Sequence, residues 1–296
     1  MGMKGFIKKL VFNITSGTAD MLYRRPYNDP EAKIRSKSEN EILHLDLVIT
    51  ECCSLKCRDC SNLMQYYKTP ENISSNEVIA DLNKLLDCMR VRELKVIGGE
   101  PFVNQGTLSA VLDHLSGEAG NNVDTINIIT NGTIIPNDAC YEAMSRNPKV
   151  MVSFSNYGNL SSRQKELMDS LKQRGIHYSI IDDSFYWLDF GRPIEYNESD
   201  DFVSRQFKYC YNRKNCNTLY RGGLYMCPRQ AHGIRLGFVP YSEDEYVNLF
   251  NPLYTNSDEL RRDILKLIRR TEQISTCRYC INGKYIHIPR AVQMDK

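Results

Sequence analysis

The sequence predicts an α/β fold built on a parallel sheet. From residue 43 onward, short apolar runs alternate with amphipathic segments, and this alternation continues to about residue 182. Strands that alternate with helices at spacings of roughly 25 to 50 residues are typical of parallel pairing with right-handed crossovers. The pattern fits an open doubly wound sheet, a full barrel or a partial barrel. In each of these arrangements, functional groups gather at the carboxyl ends of the strands.

Five strands and the helices between them are predicted. The first strand, 43–49, precedes a cysteine-rich loop, and the second strand is 94–97. Between them, the strongest helical pattern covers 74–90, where Ser74 and Glu77 form a capping box ahead of an apolar stripe. The remaining elements are helices at 106–115, 137–145 and 161–173 and strands at 125–130, 150–154 and 178–181.

The pattern changes after about residue 182, where the chain becomes aromatic, polar and irregular. A hairpin is predicted at 218–227, because Gly222-Gly223 supplies the positive φ angles of a two-residue turn. A helix is predicted at 257–270. We therefore expect three parts, namely an N-terminal extension (1–42), an α/β domain (43–205) and a smaller C-terminal domain (206–290).

Composition and charge exclude several classes of protein. The 296 residues are 42% apolar and 25% charged, which is typical of a globular protein. With 38 lysines and arginines and 36 acidic residues, the formal net charge is only +2, so we expect no broad basic surface that would bind nucleic acid. No apolar run approaches the roughly 18 to 20 residues of a membrane-spanning helix, so we expect no membrane span.

We expect a cytoplasmic protein, because the N-terminus lacks the apolar core and cleavage site of a secretory signal. The apolar residues of 6–11 fall on one face of a short basic helix, which would pack on its own domain or dock on a membrane surface or a partner. Eleven cysteines are many for the cytoplasm, where structural disulfides are rare. Most of them fall in two clusters, which indicates metal binding or catalysis.

The first cysteine cluster directly follows the first predicted strand. Cys53, Cys57 and Cys60 form a C-x3-C-x2-C loop. Three thiolates in such a loop can hold three irons of a [4Fe-4S] cubane and leave the fourth iron open for reaction. The alternative is a zinc ribbon, which fits less well because zinc prefers four closed ligands and paired CxxC spacings.

This loop resembles the hallmark of the radical S-adenosylmethionine (radical SAM) superfamily. In that family, C-x3-C-x2-C follows the first strand of a partial (β/α)6 barrel, and a GGEP-like motif ends the second strand. Here Gly98-Gly99-Glu100-Pro101 directly follows the second predicted strand. The resemblance implies a partial (β/α)6 barrel whose three loop cysteines hold the cluster. Asp59 departs from the family pattern, which usually has an aromatic residue or histidine that packs over the adenine.

The same resemblance assigns residues to S-adenosylmethionine. Gly98 and Gly99 let the backbone approach the ligand, and Glu100 offers a carboxylate to its ammonium group. An external electron donor such as flavodoxin or ferredoxin reduces the cluster, and the cleaved sulfonium yields a 5′-deoxyadenosyl radical that abstracts a substrate hydrogen. No general base is identifiable. The candidates for the ribose hydroxyls, at the end of the fourth strand, are Ser153, Ser155 and Asn156.

The second cysteine cluster resembles the family's twitch appendage, in which a cysteine, a Gly-x4-Cys hairpin and a CxxC hold an auxiliary [4Fe-4S] cluster. The further cysteines of the longer SPASM version are missing, so we expect two [4Fe-4S] clusters per chain. Three auxiliary ligands are implied by the motif, and the fourth is either Cys210, by its spacing, or Cys216, as a diagonal neighbour across a Gly222-Gly223 hairpin. The candidate ligands are Cys210, Cys216, Cys227, Cys277 and Cys280.

A closed auxiliary cluster offers no iron to a substrate, so we expect it to transfer electrons. Hydrogen abstraction from a carbinol carbon, followed by electron transfer to this cluster, ends in a ketone. We therefore expect an oxidoreductase that acts on a small hydroxylated substrate, such as a sugar, cyclitol or nucleotide sugar. The alternatives are a radical SAM enzyme that cross-links or epimerises peptides and a zinc-stabilised binding module without redox chemistry.

Overall fold

The computed structural model describes residues 40–181 and 187–294. All of these residues fall within one compact unit, Ser36–Lys296. The predicted apolar face of 6–11 lies outside the described residues. Within the described ranges, no helix combines the length and apolar character that crossing a membrane requires.

Five parallel strands form the larger part of the sheet, as the sequence predicts. They pair in the order β5-β4-β3-β2-β1, with every neighbouring pair parallel. The mixed α/β architecture and the largely parallel sheet agree with the predicted partial barrel. The strands are β1 (Glu41–Val48), β2 (Arg90–Ile97), β3 (Val123–Thr130), β4 (Val150–Ser155) and β5 (His177–Ile181).

One helix lies in each crossover between these strands. The first begins after Ser74, whose Oγ accepts a hydrogen bond from the Glu77 N–H at 3.3 Å, as its capping pattern predicts. It ends earlier than predicted, because the chain must turn before Arg90, whose N–H already pairs with the Asn40 carbonyl. The helices are α1 (Ser75–Leu86), α2 (Gln105–His114), α3 (Asp138–Arg146) and α4 (Gln164–Gln173).

The two faces of the parallel sheet differ in chemistry. One face is apolar and fully buried against the helices, as Leu45, Leu94 and Ile128 show. The opposite face, which we call the inner face, carries paired polar residues, with Asp46 of β1 in register with Lys95 of β2. The Asp46 carboxylate lies 3.7 Å from the Lys95 ammonium. The apolar face therefore stabilises the fold, whereas the inner face is left for chemistry.

The C-terminal region extends the same sheet. After β6 (Trp187–Leu188), strand β7 (Asn217–Tyr220) pairs parallel with β1, and β8 (Gly223–Tyr225) and β9 (Tyr246–Asn248) add antiparallel strands. The last strand, β10 (His287–Ile288), pairs antiparallel with β6. The remaining helices are α5 (Asp200–Tyr209), α6 (Tyr211–Asn215), α7 (Pro228–Arg235) and α8 (Ser257–Ile268), the last matching the predicted helix.

The β7–β8 hairpin differs from the prediction by one residue. Its turn residues are Arg221 and Gly222, with φ angles of 47° and 75°, and Thr218 therefore pairs with Tyr225. Positive φ at both central positions is what a type I′ turn requires. Asp81 of α1 fixes this register by accepting the Gly222 N–H at 2.8 Å. The predicted Gly222-Gly223 turn is wrong, and with it the diagonal-neighbour argument for Cys216.

Candidate functional site

The three-cysteine loop lies at the carboxyl end of β1, where Cys53, Cys57 and Cys60 all line a cavity of about 300 Å³. Burial, reinforced by the charges of neighbouring thiolates, raises the pKa of Cys53 to about 12 and that of Cys57 to about 11. Three thiolates in one cavity repel one another, so their ionised forms need a cationic partner. Iron supplies that charge, and the donor set fits an iron–sulfur cluster.

Local hydrogen bonds fix the conformation of this loop. The Gln65 side-chain amide donates to the carbonyls of Arg58 and Cys60 at 3.0 and 3.4 Å. From β3, the Asn131 amide donates to Ser54 Oγ at 3.0 Å and lies 3.7 Å from Cys53 Sγ. The cysteines are therefore positioned by backbone and amide contacts that do not involve the cluster itself.

Gly98 and Gly99 both line the cavity, and their lack of side chains lets β2 pack against the cysteine loop. A Cβ on Gly99 would lie 2.2 Å from the Cys52 carbonyl oxygen, and one on Gly98 would lie 2.4 Å from that of Thr50. In the actual structure, the Gly99 N–H donates to the Thr50 carbonyl at 3.0 Å. These glycines thus bring the second strand and the cysteine loop together.

Glu100 is buried beside the cavity and is not one of the residues that line it. Its two oxygens accept hydrogen bonds from Phe102 N–H (3.1 Å), Thr130 Oγ1 (2.9 Å) and Asn131 N–H (2.8 Å). Burial raises the pKa of this carboxyl to about 7, although the three donors oppose the shift. The carboxylate joins the end of β2 to that of β3, and its contact with the ammonium group stays a prediction.

The residues suggested for the ribose hydroxyls occupy different positions. Ser155 lines the cavity, whereas Ser153 is buried and hydrogen-bonds Ser179 Oγ at 2.9 Å. The Asn156 side chain accepts the Gly158 N–H at 3.0 Å and so shapes the following turn. Only Ser155 of the three therefore lies where it would meet a ligand in this cavity.

Three aromatic residues of the cavity, Tyr157, Trp187 and Phe190, were not assigned to the ligand from the sequence. The rings of Tyr157 and Trp187 pack edge to face with centroids 5.4 Å apart. Asp59 lines the cavity too, at the position where an aromatic residue was expected. The aromatic surface therefore comes from the end of β4 and from the segment 187–190, which no short motif around the cysteines reveals.

The structure brings four cysteines of the second cluster together. The pKa of Cys277 is raised well above its ordinary value by burial and by the charges of Cys210, Cys227 and Cys280. Burial and the charge of Cys210 similarly raise the pKa of Cys227 to about 12. The Gln206 amide also donates to the carbonyls of Cys277 and Cys280, at 2.9 and 3.1 Å. These four thiols thus lie close enough together for their charges to interact.

Cys216 lies beside Asp46, and Cys210 is the one cysteine of that set whose charge acts on it. Burial and the charge of Asp46 raise its pKa well above the ordinary value, and the charge of Lys95 opposes the shift. Its sulfur lies 3.9 Å from the Asn212 side-chain oxygen. Of the two candidates for the fourth position, the geometry therefore favours Cys210.

A buried arginine connects the two cysteine clusters. Arg229 is 2% exposed, and its guanidinium donates to the Tyr279 carbonyl at 3.0 Å and to the Gly191 carbonyl at 2.8 Å. Burial raises the pKa values of Cys60 and Cys280, and the charge of Arg229 opposes both shifts. Its position two residues after Cys227 was a signal of this role that the motif analysis did not use.

Among the residues that the structure describes, no three Cys, His, Asp or Glu side chains converge on one point closely enough to hold a single metal ion.

Comparison with known proteins is consistent with this geometry. Residues 46–176 match the family model of the 4Fe-4S single cluster domain. GTP 3',8-cyclase 3 of Mycobacterium bovis is 23% identical over 155 residues, which cover 51% of this chain and 39% of that protein. The radical SAM cyclopropyl synthase TigE of Paramaledivibacter caminithermalis is 24% identical over 185 residues, which cover 57% and 39%. The chain thus spans about two fifths of the length of the curated relatives it matches.

Two solved structures show more distant similarity. Native anSMEcpe with bound AdoMet has a TM-score of 0.46 and 14% identity, covering 77% of this chain and 84% of that one. SuiB of Streptococcus suis bound to S-adenosylmethionine has a TM-score of 0.38 and 16% identity, covering 60% and 41%. The matched iron–sulfur domain and the curated relatives, together with the C-x3-C-x2-C and GGEP motifs on successive strands, make this chain similar to enzymes of the radical SAM superfamily.

Proposed function

We propose that the chain is a radical SAM oxidoreductase that oxidises a small hydroxylated substrate to a ketone. The observation that carries the proposal is the second group of four neighbouring thiols, in which Cys280 is buried and Cys210, Cys227 and Cys277 are half-buried. When bound, the first cluster and S-adenosylmethionine would supply the radical chemistry that removes a hydrogen atom from a carbinol carbon. Completing the oxidation to a ketone would send the hydroxyl proton to a base and one electron to a second cluster, which these four cysteines would hold.

In this proposal, the residues of the first cavity hold the cofactors in place. Cys53, Cys57 and Cys60 ligate three irons and leave the fourth for S-adenosylmethionine. Ser155 offers a hydroxyl group to the ribose, and the Tyr157–Trp187 pair packs against the adenine. These contacts keep water away from the radical and fix its distance to the substrate.

The second cluster receives the electron, and Arg229 assists it. The fixed positive charge of this guanidinium is buried close to Cys280 and Cys227. A reduced cluster carries one more negative charge than an oxidised one, so a buried cation close by favours the reduced form. In this organisation, residues 43–205 are the radical SAM domain, 206–290 are a twitch-like domain, and 1–42 are an N-terminal extension.

The inner face of the sheet supports a substrate with hydroxyl groups. Asn127 Oδ1 is buried there and accepts no hydrogen bond from the described residues. It is an acceptor, and a hydroxyl group is the simplest neutral donor that would satisfy it. The curated relative named as a GTP cyclase also points to a nucleotide, whose ribose carries such hydroxyls.

The first experiment counts metals and tests cofactor cleavage. We expect anaerobically purified protein to hold about eight irons and eight sulfides per chain, for two [4Fe-4S] clusters. The Cys53→Ala/Cys57→Ala/Cys60→Ala variant should keep about four irons and form no 5′-deoxyadenosine with dithionite and S-adenosylmethionine. Cys88→Ala is a matched control, because this buried cysteine hydrogen-bonds the Leu85 carbonyl, away from both sets. Colourless protein with one or two zincs would support the zinc-binding module instead.

The second experiment identifies the substrate class and the redox outcome. We expect a sugar, cyclitol or nucleotide sugar to lose two hydrogens, and we expect flavodoxin or ferredoxin to replace dithionite as the electron donor. Turnover of a peptide to a cross-linked or epimerised product would overturn the proposed substrate class but retain the radical SAM activity. Counting the reductant consumed per product separates a net oxidation from a redox-neutral reaction.

A further inference from the structure

The C-terminal segment 287–294, which we call the strap, runs from β6, on one side of the cavity, to the cysteine loop. At its start, His287 and Ile288 pair with Leu188 and Trp187 of β6. At its end, Gln293 forms an isolated antiparallel bridge with Cys57. Two backbone hydrogen bonds flank this bridge, from Arg58 N–H to the Val292 carbonyl (2.7 Å) and from Met294 N–H to the Lys56 carbonyl (2.8 Å). The strap is thus one strand of a short ladder with the cysteine loop.

The Gln293 side chain is held in one orientation that places a donor next to the Cys57 sulfur. Its Nε2 lies 3.2 Å from Cys57 Sγ and 2.8 Å from the Ala291 carbonyl oxygen, and its Oε1 accepts the Lys56 N–H at 2.9 Å. Exchanging the amide oxygen and nitrogen would place a donor against the Lys56 N–H and an acceptor against the Ala291 carbonyl. The surrounding groups therefore define the amide, and an N–H bond faces the sulfur.

We propose that Gln293 sets the reduction potential of the first cluster by donating a hydrogen bond to the Cys57 sulfur. This inference rests on the proposed function, in which Cys57 is a cluster ligand, and Gln293 acts through that ligand as a positioning residue. Reduction adds negative charge that is shared with the ligand sulfurs. A donor to a sulfur stabilises the reduced form more than the oxidised form and so raises the potential.

Gln293 is better placed for this effect than the other side-chain amides around the loop. The Asn131 amide lies 3.7 Å from Cys53 Sγ and is shared with Ser54 at 3.0 Å. The Gln65 amide donates only to the backbone carbonyls of Arg58 and Cys60. Gln65 therefore provides a matched control, because it is also a glutamine whose amide donates to the cysteine loop, and it makes no hydrogen bond to a sulfur.

Three variants separate the hydrogen bond to sulfur from a general role in holding the loop. Gln293→Leu removes the amide at nearly constant volume. Gln293→Glu keeps an oxygen for the Lys56 N–H but replaces the donor with a carboxylate oxygen. Gln65→Leu removes amide bonds to the loop and leaves the Cys57 sulfur with its donor.

The measurement is a redox titration of the full-length protein followed by electron paramagnetic resonance. Added S-adenosylmethionine perturbs only the signal of a cluster with an open iron, which identifies the first cluster when both are present. For Gln293→Leu, we expect the equilibrium constant for one-electron reduction to fall by about threefold to tenfold, and tenfold corresponds to about 59 mV. The potential of Gln293→Glu should fall at least as far, whereas that of Gln65→Leu should match the wild type.

An unchanged potential in Gln293→Leu, or an equal fall in Gln65→Leu, would overturn the inference. If both Gln293 variants lose the first cluster, the unmodified protein supplies the test. With 15N in the glutamine side chains, pulsed spectroscopy of the reduced cluster should detect a nitrogen coupling that persists in Gln65→Leu, and its absence would overturn the inference. A wild-type protein without any signal that responds to S-adenosylmethionine would instead contradict the proposed function.

Discussion

Replacing Cys210 with alanine should remove the second cluster, whereas the same replacement of Cys216 should leave it in place. The two cysteines are only six positions apart and flank the same short helix, α6, so the pair is closely matched. Their surroundings differ, because Cys210 lies among the thiols of Cys227, Cys277 and Cys280, while Cys216 lies beside Asp46. The spacing of the sequence left both residues as candidates.

The expected magnitudes follow from these surroundings. Three sulfurs suffice for the first cluster because S-adenosylmethionine completes it, whereas nothing in the proposal replaces Cys210 at the second, so iron should fall from about eight towards about four per chain. Cys210 also accepts a hydrogen bond from the Asn282 amide at 3.4 Å, which the variant loses. Cys216→Ala removes one buried atom from a packed position, which costs about 1 kcal/mol in the free energy of unfolding and no iron.

The assay is iron and sulfide analysis of both variants after anaerobic reconstitution, together with 5′-deoxyadenosine formation. Both variants should still cleave S-adenosylmethionine with dithionite, because the first cluster is intact in each. Only Cys210→Ala should fail to oxidise the substrate. If Cys216→Ala loses about four irons while Cys210→Ala keeps them, our placement of the auxiliary ligands is wrong.

Two further predictions concern the stability of the protein without its clusters. Glu100→Gln should lower the free energy of unfolding by about 1 to 3 kcal/mol, because one amide oxygen would replace two carboxylate oxygens that accept from three donors. Unchanged stability with weakened S-adenosylmethionine binding would instead identify Glu100 as a ligand. Burial raises the pKa of Asp81 from 3.8 to about 6, so its contribution to stability is present below pH 3.8 and is lost as the pH rises through about 6. As the pH rises from 3.8 to about 6, the free energy of unfolding of Asp81→Asn should therefore increase relative to that of the wild type, by at most about 3 kcal/mol. Urea unfolding at several pH values measures this difference. A difference that does not change with pH would refute the assignment.

Local sequence patterns predicted the parallel sheet and the first cysteine site well. The short apolar run of β3 predicts a buried strand, and it forms one. The helix after Ser74 is predicted by its N-cap residue. The C-x3-C-x2-C loop is also local, because all three ligands lie within eight residues. Features that depend only on residues close together in the sequence can therefore be predicted from the sequence.

The features that sequence reasoning missed depend on contacts between distant segments. Gln293 contacts Cys57 across 236 positions, and no spacing rule connects them. The hairpin register depends on Asp81, which holds Gly222 from 141 positions away. Glu100 belongs to a recognisable motif, but Thr130 and Asn131 of another strand decide where its carboxylate points. A motif identifies the residue, whereas tertiary packing fixes its direction.

The pairing of β7 with β1 bears on the proposed role of the second cysteine set. Leu45 and Leu47 of β1 align with Asn217 and Leu219 of β7, so the segment after Cys216 becomes part of the same sheet. This pairing places Cys216 beside Asp46, with Cys210 close by. Electron transfer depends on separation, and a cluster held just before β7 would share one sheet with the strand that precedes the first cysteine loop. Loss of substrate oxidation in Cys210→Ala, with cofactor cleavage retained, is the behaviour that the proposed function requires.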